Sequence, residues 1–263
     1  MAQFSGTFYS EALTRKVPFT AIIPTSKELE RHHQMYKPEF SQPKRTIYLL
    51  HGWDGANDDW VFNARVFELA REHNLAFILP SGENSFYVDH PNGNHYGKFI
   101  GEELVEVTRE LFSLSTQRED TWIIGLSMGG YGALRNGFKY SDTFSKIAAF
   151  SSRILTKYEA PNREKLEDNL INTRLKAIIE SDTLADLSDE NDIYELALNR
   201  SKNQEVYIAC GLSDYLYDEN KALHEFLLEN NIAHEYFETP GEHTWDFWNE
   251  YIEKAVKWMN ANK

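Results

Sequence analysis

Cysteine is almost missing from this chain. Cys210 is the single one, so no intrachain disulfide can form and no oxidising compartment is called for. Long apolar runs are missing too. No stretch approaches the ~20 residues of a membrane-spanning helix. Residues 1–16 alternate polar and apolar side chains, without the apolar core of a signal peptide. These absences make a cytoplasmic location the expectation. Basic charge is scarce, with 27 Lys and Arg against 41 Asp and Glu, a net charge of -14. So acidic a chain repels phosphate backbones and anionic membranes, so neither nucleic acid nor membrane is an expected partner. Internal repeats and low-complexity segments are absent as well.

What is present is the composition of a folded chain, 41% hydrophobic and 14% aromatic. The length suits one large α/β domain over residues 1–263, because such folds reach ~250 residues as a unit. Residues 4–10 and 17–23 alternate as two antiparallel strands. Residues 24–44 are polar and contain three prolines, which predicts a loop; His32 and His33 fall in it and read as surface residues. Strands are predicted at 45–50, 75–79, 121–125, 146–150, 206–209 and 233–237 from short apolar runs closed by Gly, Pro, Ser or Asp. Helical spacing lies between them: Phe62, Val66, Leu69 and Ala70 behind a cap at Asp58 or Asp59; Ile100, Leu104, Val107 and Leu111; Tyr131, Leu134 and Phe138; and finally Trp248, Ile252, Ala255 and Met259. Alternating strands and helices predict a mostly parallel sheet covered on both faces. Residues 153–204 break the rhythm. They are charged and short of strands, with two small helices around Leu166, Leu170 and Ile171 and around Ile193, Leu196 and Ala197. They read as a cap-like insertion over the strand ends.

The run Thr121-Trp122-Ile123-Ile124-Gly125-Leu126-Ser127-Met128-Gly129-Gly130 organises the rest. A buried strand breaks into Gly-x-Ser-x-Gly and a helix follows, the context of a nucleophile elbow. Three fixed positions match by chance in about one chain in ten of this length, so the motif needs partners. A serine hydroxyl requires a base, and the base an orienting acid. In this arrangement they follow in the order Ser, Asp or Glu, His, each in a loop after a strand. His90 and His95 precede Ser127. His224 falls in a predicted helix and His234 in a predicted strand, and His51 reads as a buried organiser of its loop. His243, in the loop after the last strand, fits. Asp214 follows the preceding strand, with Asp218 one helical turn later as its competitor. Two backbone donors for an oxyanion are expected at Met128, after the serine, and at Trp53, after the strand 45–50. The loop 81–97 reads as substrate-lining rather than metal-binding, because Asp89, His90 and His95 lack zinc-site spacing. Tyr87 and Trp245 are the aromatic candidates for substrate contact.

Several of these pieces carry a resemblance. They are Leu50-His51-Gly52-Trp53-Asp54-Gly55 with Trp60, Phe86-Tyr87-Val88-Asp89, and Arg118-Glu119-Asp120-Thr121 running into the elbow. Cys210-Gly211-Leu212-Ser213-Asp214-Tyr215 and Pro240-Gly241-Glu242-His243-Thr244-Trp245 complete them. The chain resembles the tributyrin-esterase group of the Putative esterase family, relatives of S-formylglutathione hydrolases, feruloyl esterases and mycolyltransferases. The resemblance spans nearly the whole chain and is weakest over 153–204. It implies an α/β-hydrolase fold with the triad on Ser127, Asp214 and His243. It also implies a carboxylesterase preferring short acyl chains, with no metal or other cofactor and a small-molecule ester as substrate. Thioester hydrolysis and acyl transfer remain rival expectations, as does a non-catalytic binding protein on the same fold. Relatives often associate, so a homo-oligomer is among the expected assemblies.

Overall fold

The computed structural model describes residues 1–25, 43–158 and 166–261. The predicted loop with His32 and His33 falls mostly outside them. Eight strands form one sheet in the order β1-β2-β4-β3-β5-β6-β7-β8. β1 (Ala2–Ser10) and β2 (Arg15–Ile23) are an antiparallel hairpin, and β2 runs antiparallel to β4 (Leu75–Pro80). From β4 through β3 (Arg45–Leu50), β5 (Thr121–Leu126), β6 (Lys146–Phe150), β7 (Glu205–Gly211) and β8 (Glu235–Thr239) every pairing is parallel.

Period-two alternation divides each central strand between two cores. Tyr48 and Leu50 of β3 and Ile123 of β5 face one cluster. Ile47, Leu49, Trp122 and Ile124 face the other. The helix after β5, here α4 (Met128–Lys139), packs on the first face. On the second lie α2 (Val66–His73) and the last helix, α8 (Trp245–Ala261), which buries Trp248, Ile252, Ala255 and Met259 as their spacing predicts. Because both faces are covered, the central strands read as continuous apolar runs.

The structure departs from the sequence reading in four places. The helix expected through Phe62 and Val66 is two helices, α1 (Asp59–Asn63) and α2, broken where Ala64 turns extended. Trp60 is the cause: its buried indole donates to the Leu50 carbonyl at 3.0 Å and fixes α1 in its own direction, leaving Phe62 exposed. Asp58 sits at the α1 N-terminus without a side-chain capping bond. A π-helical turn at Phe99–Glu103 precedes α3 (Leu104–Leu111) and resets its phase, so Val105 and Thr108 are buried and Leu111 is exposed. Helix α5 (Leu170–Ile179) buries Leu175 and Ile178 and turns Leu170 and Ile171 outward; Leu166 is buried ahead of it. The edge strand β8 begins two residues later than expected, leaving His234 just outside it. Helix α6 (Ile193–Asn199) follows expectation, with Asp192 accepting from the N–H groups of Tyr194 and Glu195 at its start. Helix α7 (Tyr217–Glu229) ends at Asn230, and Asn231 takes the left-handed conformation common after a helix.

Candidate active site

Ser127 sits at the turn between β5 and α4 with φ 56° and ψ -120°. A side-chain-bearing residue held there costs ~1–3 kcal/mol, which its surroundings must offset. Three backbone bonds do so: Ser127 N–H to Phe150 O (2.9 Å), and Tyr131 N–H (3.1 Å) and Arg153 N–H (3.2 Å) to Ser127 O. The turn closes only with glycine on both sides. A Cβ on Gly125 would lie 2.0 Å from the Gly129 carbonyl oxygen, and one on Gly129 would lie 2.4 Å from the His51 carbonyl oxygen.

His243 lies in the loop between β8 and α8. Its Nε2 is 3.0 Å from Ser127 Oγ, and its Nδ1 is 2.9 and 3.1 Å from the two carboxylate oxygens of Asp214. Two backbone bonds zip the loop after β7 to the loop after β8: Leu212 N–H to Thr239 O (2.8 Å) and Ser213 N–H to Gly241 O (2.9 Å). That pairing sets Asp214 beside His243, and Asp218, the competitor read from sequence, lies in the first turn of α7 instead. Asp214 is 5% exposed. Burial alone would raise its pKa. Hydrogen bonds from His243, the Leu216 N–H and the Ser151 hydroxyl outweigh burial and hold the carboxyl below its usual range. The His243 ring is gripped by Tyr215 on one side, centroids 4.5 Å apart, and by the edge-on indole of Trp248 at 4.9 Å.

The loop after β3 packs against the elbow. Trp53 and Met128 both line a cavity with Ser127, and among the described residues neither backbone N–H has an acceptor. His51 is 1% exposed and organises this loop. Its Nδ1–H donates to Gly52 O (2.7 Å), its Nε2 accepts from Gly82 N–H (2.9 Å), and burial lowers its pKa, so the ring is neutral and both nitrogens are occupied.

Two cavities meet at Ser127. One, of about 510 Å³, is lined by Trp53, Phe86, Met128, Leu170, Ile171 and Leu216, with Arg153 and Glu219 paired in its wall. The other, of about 520 Å³, is lined by His243, Thr244, Trp245, Trp248 and Asp59. Trp53, Ile171 and Tyr215 line both. Trp245 is thus at the site. Tyr87 is not: it is fully buried, its hydroxyl donates to His51 O at 2.9 Å, and its neighbour Phe86 takes the cavity position. Asp89, His90 and His95 do not gather at Ser127, and among the described residues no group of three or more His, Cys, Asp or Glu could hold a metal ion. Sequence reasoning passed over Ile171, Arg153, Tyr215 and Trp248. Arg153 and Tyr215 carried a usable signal, since each closely follows the carboxyl end of a parallel strand.

Known proteins place this geometry. The family model described as "Putative esterase" matches residues 25–259. An acetyl esterase of Caldicellulosiruptor saccharolyticus is 39% identical over 265 residues, covering 99% of this chain and 98% of that protein. A fluorophosphonate-binding serine hydrolase of Staphylococcus aureus, solved with substrate bound, superposes with TM-score 0.82 at 27% identity, covering 98% of each chain. An S-formylglutathione hydrolase of the same organism gives TM-score 0.80 at 26% identity, again over 98% of each chain. On this sheet, this elbow and these matches, the chain belongs to the Putative esterase family and is an α/β-hydrolase acting on carboxylic esters.

Proposed function

We propose that the chain is a serine carboxylesterase that hydrolyses short-chain acyl esters through an acyl-enzyme on Ser127. The observation that carries this reading is the continuous line Ser127 Oγ, His243 Nε2, His243 Nδ1, Asp214, with every link at 2.9–3.1 Å. Asp214 fixes the tautomer that keeps the Nε2 lone pair on Ser127. As Oγ attacks the ester carbonyl, Nε2 takes its proton, and Asp214 stabilises the imidazolium. The N–H groups of Met128 and Trp53 receive the developing oxyanion, each worth ~2.7–4 kcal/mol of transition-state stabilisation. His243 next gives the proton to the leaving oxygen, then activates the water that releases the acid.

This proton path assigns the cavities. The leaving alcohol must lie against His243, hence in the cavity with Trp245 and Trp248. The acyl group takes the cavity with Phe86 and Met128. Residues 153–204 act as a cap in this reading, since Leu170 and Ile171 of α5 present apolar side chains to the acyl cavity. The 39% identity to an acetyl esterase supports a short acyl group. Thioester hydrolysis is the second reading, supported by the similarity to an S-formylglutathione hydrolase.

Hydrolysis of p-nitrophenyl esters from acetate to laurate, by the native chain and Ser127→Ala, tests this. The expected result is a rate highest on the shortest esters and a loss of ~10⁶ in kcat in the variant. Hydrolysis that survives in Ser127→Ala would contradict it, and thioester turnover far above ester turnover would favour the second reading.

A further inference from the structure

A further cavity, of about 260 Å³, has a polar lining. Two chain connections tie it to the acyl cavity. Ser85 lines the polar cavity, and Phe86, next in the chain, lines the acyl cavity. On α5, Leu170 lines the acyl cavity and Arg174 the polar one. Residues four apart share a helix face about one 5.4 Å turn apart. The linings of the two cavities therefore run side by side, through the Ser85–Phe86 peptide and along one turn of α5.

The charges in the polar cavity do not cancel. Arg15 is committed: it pairs with Glu83 at 2.7 Å, donates to Asn94 Oδ1 at 3.0 Å and bonds the Tyr96 hydroxyl. His90 Nε2 donates to the Ser85 carbonyl at 2.9 Å, and burial lowers its pKa, so its ring is neutral. Glu83 offsets Arg15, which leaves the Arg174 guanidinium. Among the described residues it has no ion pair. Arg174 is exposed, so its guanidinium is a solvated positive group in a chain of net charge -14. Its fork of N–H donors matches the two oxygens of a carboxylate. Asn92 lines the same cavity, and its Oδ1 already accepts from the Asn94 N–H and Nδ2, which leaves its Nδ2 as a further donor. The acyl cavity is also far roomier than an acetyl group needs.

We infer that this polar cavity is a second substrate subsite, which takes a carboxylate at the far end of the acyl group. Half-esters of dicarboxylic acids are then a preferred substrate class. Ser127 breaks the ester C–O bond at one end while Arg174 holds the free carboxylate at the other. The alcohol leaves with the proton from His243, and water completes the dicarboxylic acid. This rests on the acyl-enzyme reading and on the cavity assignment above.

The test compares kcat/KM for mono-p-nitrophenyl esters of adipic, pimelic and suberic acid, each beside the same ester with its free carboxylate methylated. The native chain, Arg174→Ala and Arg174→Lys are measured. The expected native preference for the carboxylate form is about tenfold at the best chain length, the scale of one charge-assisted bond. It falls towards one in Arg174→Ala, recovers in part in Arg174→Lys, and weakens with added salt. A native ratio at or below one at every length overturns the inference, and so does a ratio that Arg174→Ala leaves intact. Ser127→Ala, run alongside, separates the failures. If it abolishes hydrolysis while the native chain shows no preference, the subsite alone is wrong; hydrolysis that survives it removes the acyl-enzyme reading as well.

Discussion

Asp214 shows how one side chain ties chemistry to electrostatics. Its carboxylate is buried, yet it stays ionised because His243, Leu216 N–H and Ser151 donate to it. A folded-state pKa below the unfolded one stabilises the fold above the unfolded value of ~3.9, and that stabilisation is lost as pH falls through the depressed value. Asp214→Asn removes both roles. Its kcat should fall by up to ~10⁴, because an amide can donate to Nδ1 and so favour the wrong tautomer. Its stability deficit against the native chain, measured in urea, should be largest at neutral pH and shrink below about pH 4. A deficit that grows in acid would show that the carboxyl is raised, not lowered. Ser127 and His243 were legible in sequence for different reasons. The serine needs a backbone turn that only flanking glycines allow, which is a local demand. The histidine stands out among six candidates by chain order and by its place in a loop after a strand. Tyr87 was misjudged because burial is a long-range property that an aromatic in a loop does not announce.

At the scale of elements, the site is assembled from loops that follow parallel strands, each fixed by bonds to its neighbour. The loop after β3 is an instance. His51 clamps Gly52 and Gly82, Tyr87 holds the His51 carbonyl, and the Asp54 N–H donates to Asn84 Oδ1 at 2.8 Å. In the proposed mechanism this scaffold holds the loop that carries the Trp53 N–H. Tyr87→Phe should cost about 1–3 kcal/mol for the unmet buried carbonyl, a fall of several degrees in Tm. It should lower kcat with KM nearly unchanged, since an oxyanion donor acts in the transition state. A raised KM at constant kcat would instead mark Tyr87 as a substrate contact. The elements themselves were largely readable, because central strands buried on both faces give unbroken apolar runs. The break at Ala64 and the π turn before α3 were not. Trp60 reaching Leu50 imposes the first, a contact that periodicity does not encode. The outward turn of Leu170 and Ile171 is the same kind of miss, with a functional reason: they face a cavity rather than the core.

At the scale of the molecule, the sheet order brings residues far apart in sequence to one edge. β5 lies at its centre, with β3 on one side and β6, β7 and β8 on the other. The loops carrying Trp53, Ser127, Asp214 and His243 all leave the carboxyl ends of parallel strands, where open α/β sheets gather their ligands. Two cavities with largely different linings meet at Ser127, which suits a reaction that splits one substrate into two products. The central claim is that a single serine carries the acyl group. The most direct measurement is peptide mapping by mass spectrometry after the native chain and His243→Ala react with a fluorophosphonate. The account predicts one adduct per native chain, on Ser127, formed in step with the loss of ester hydrolysis, and far slower labelling without the imidazole. An adduct on another residue, or full labelling that leaves ester hydrolysis intact, would contradict it.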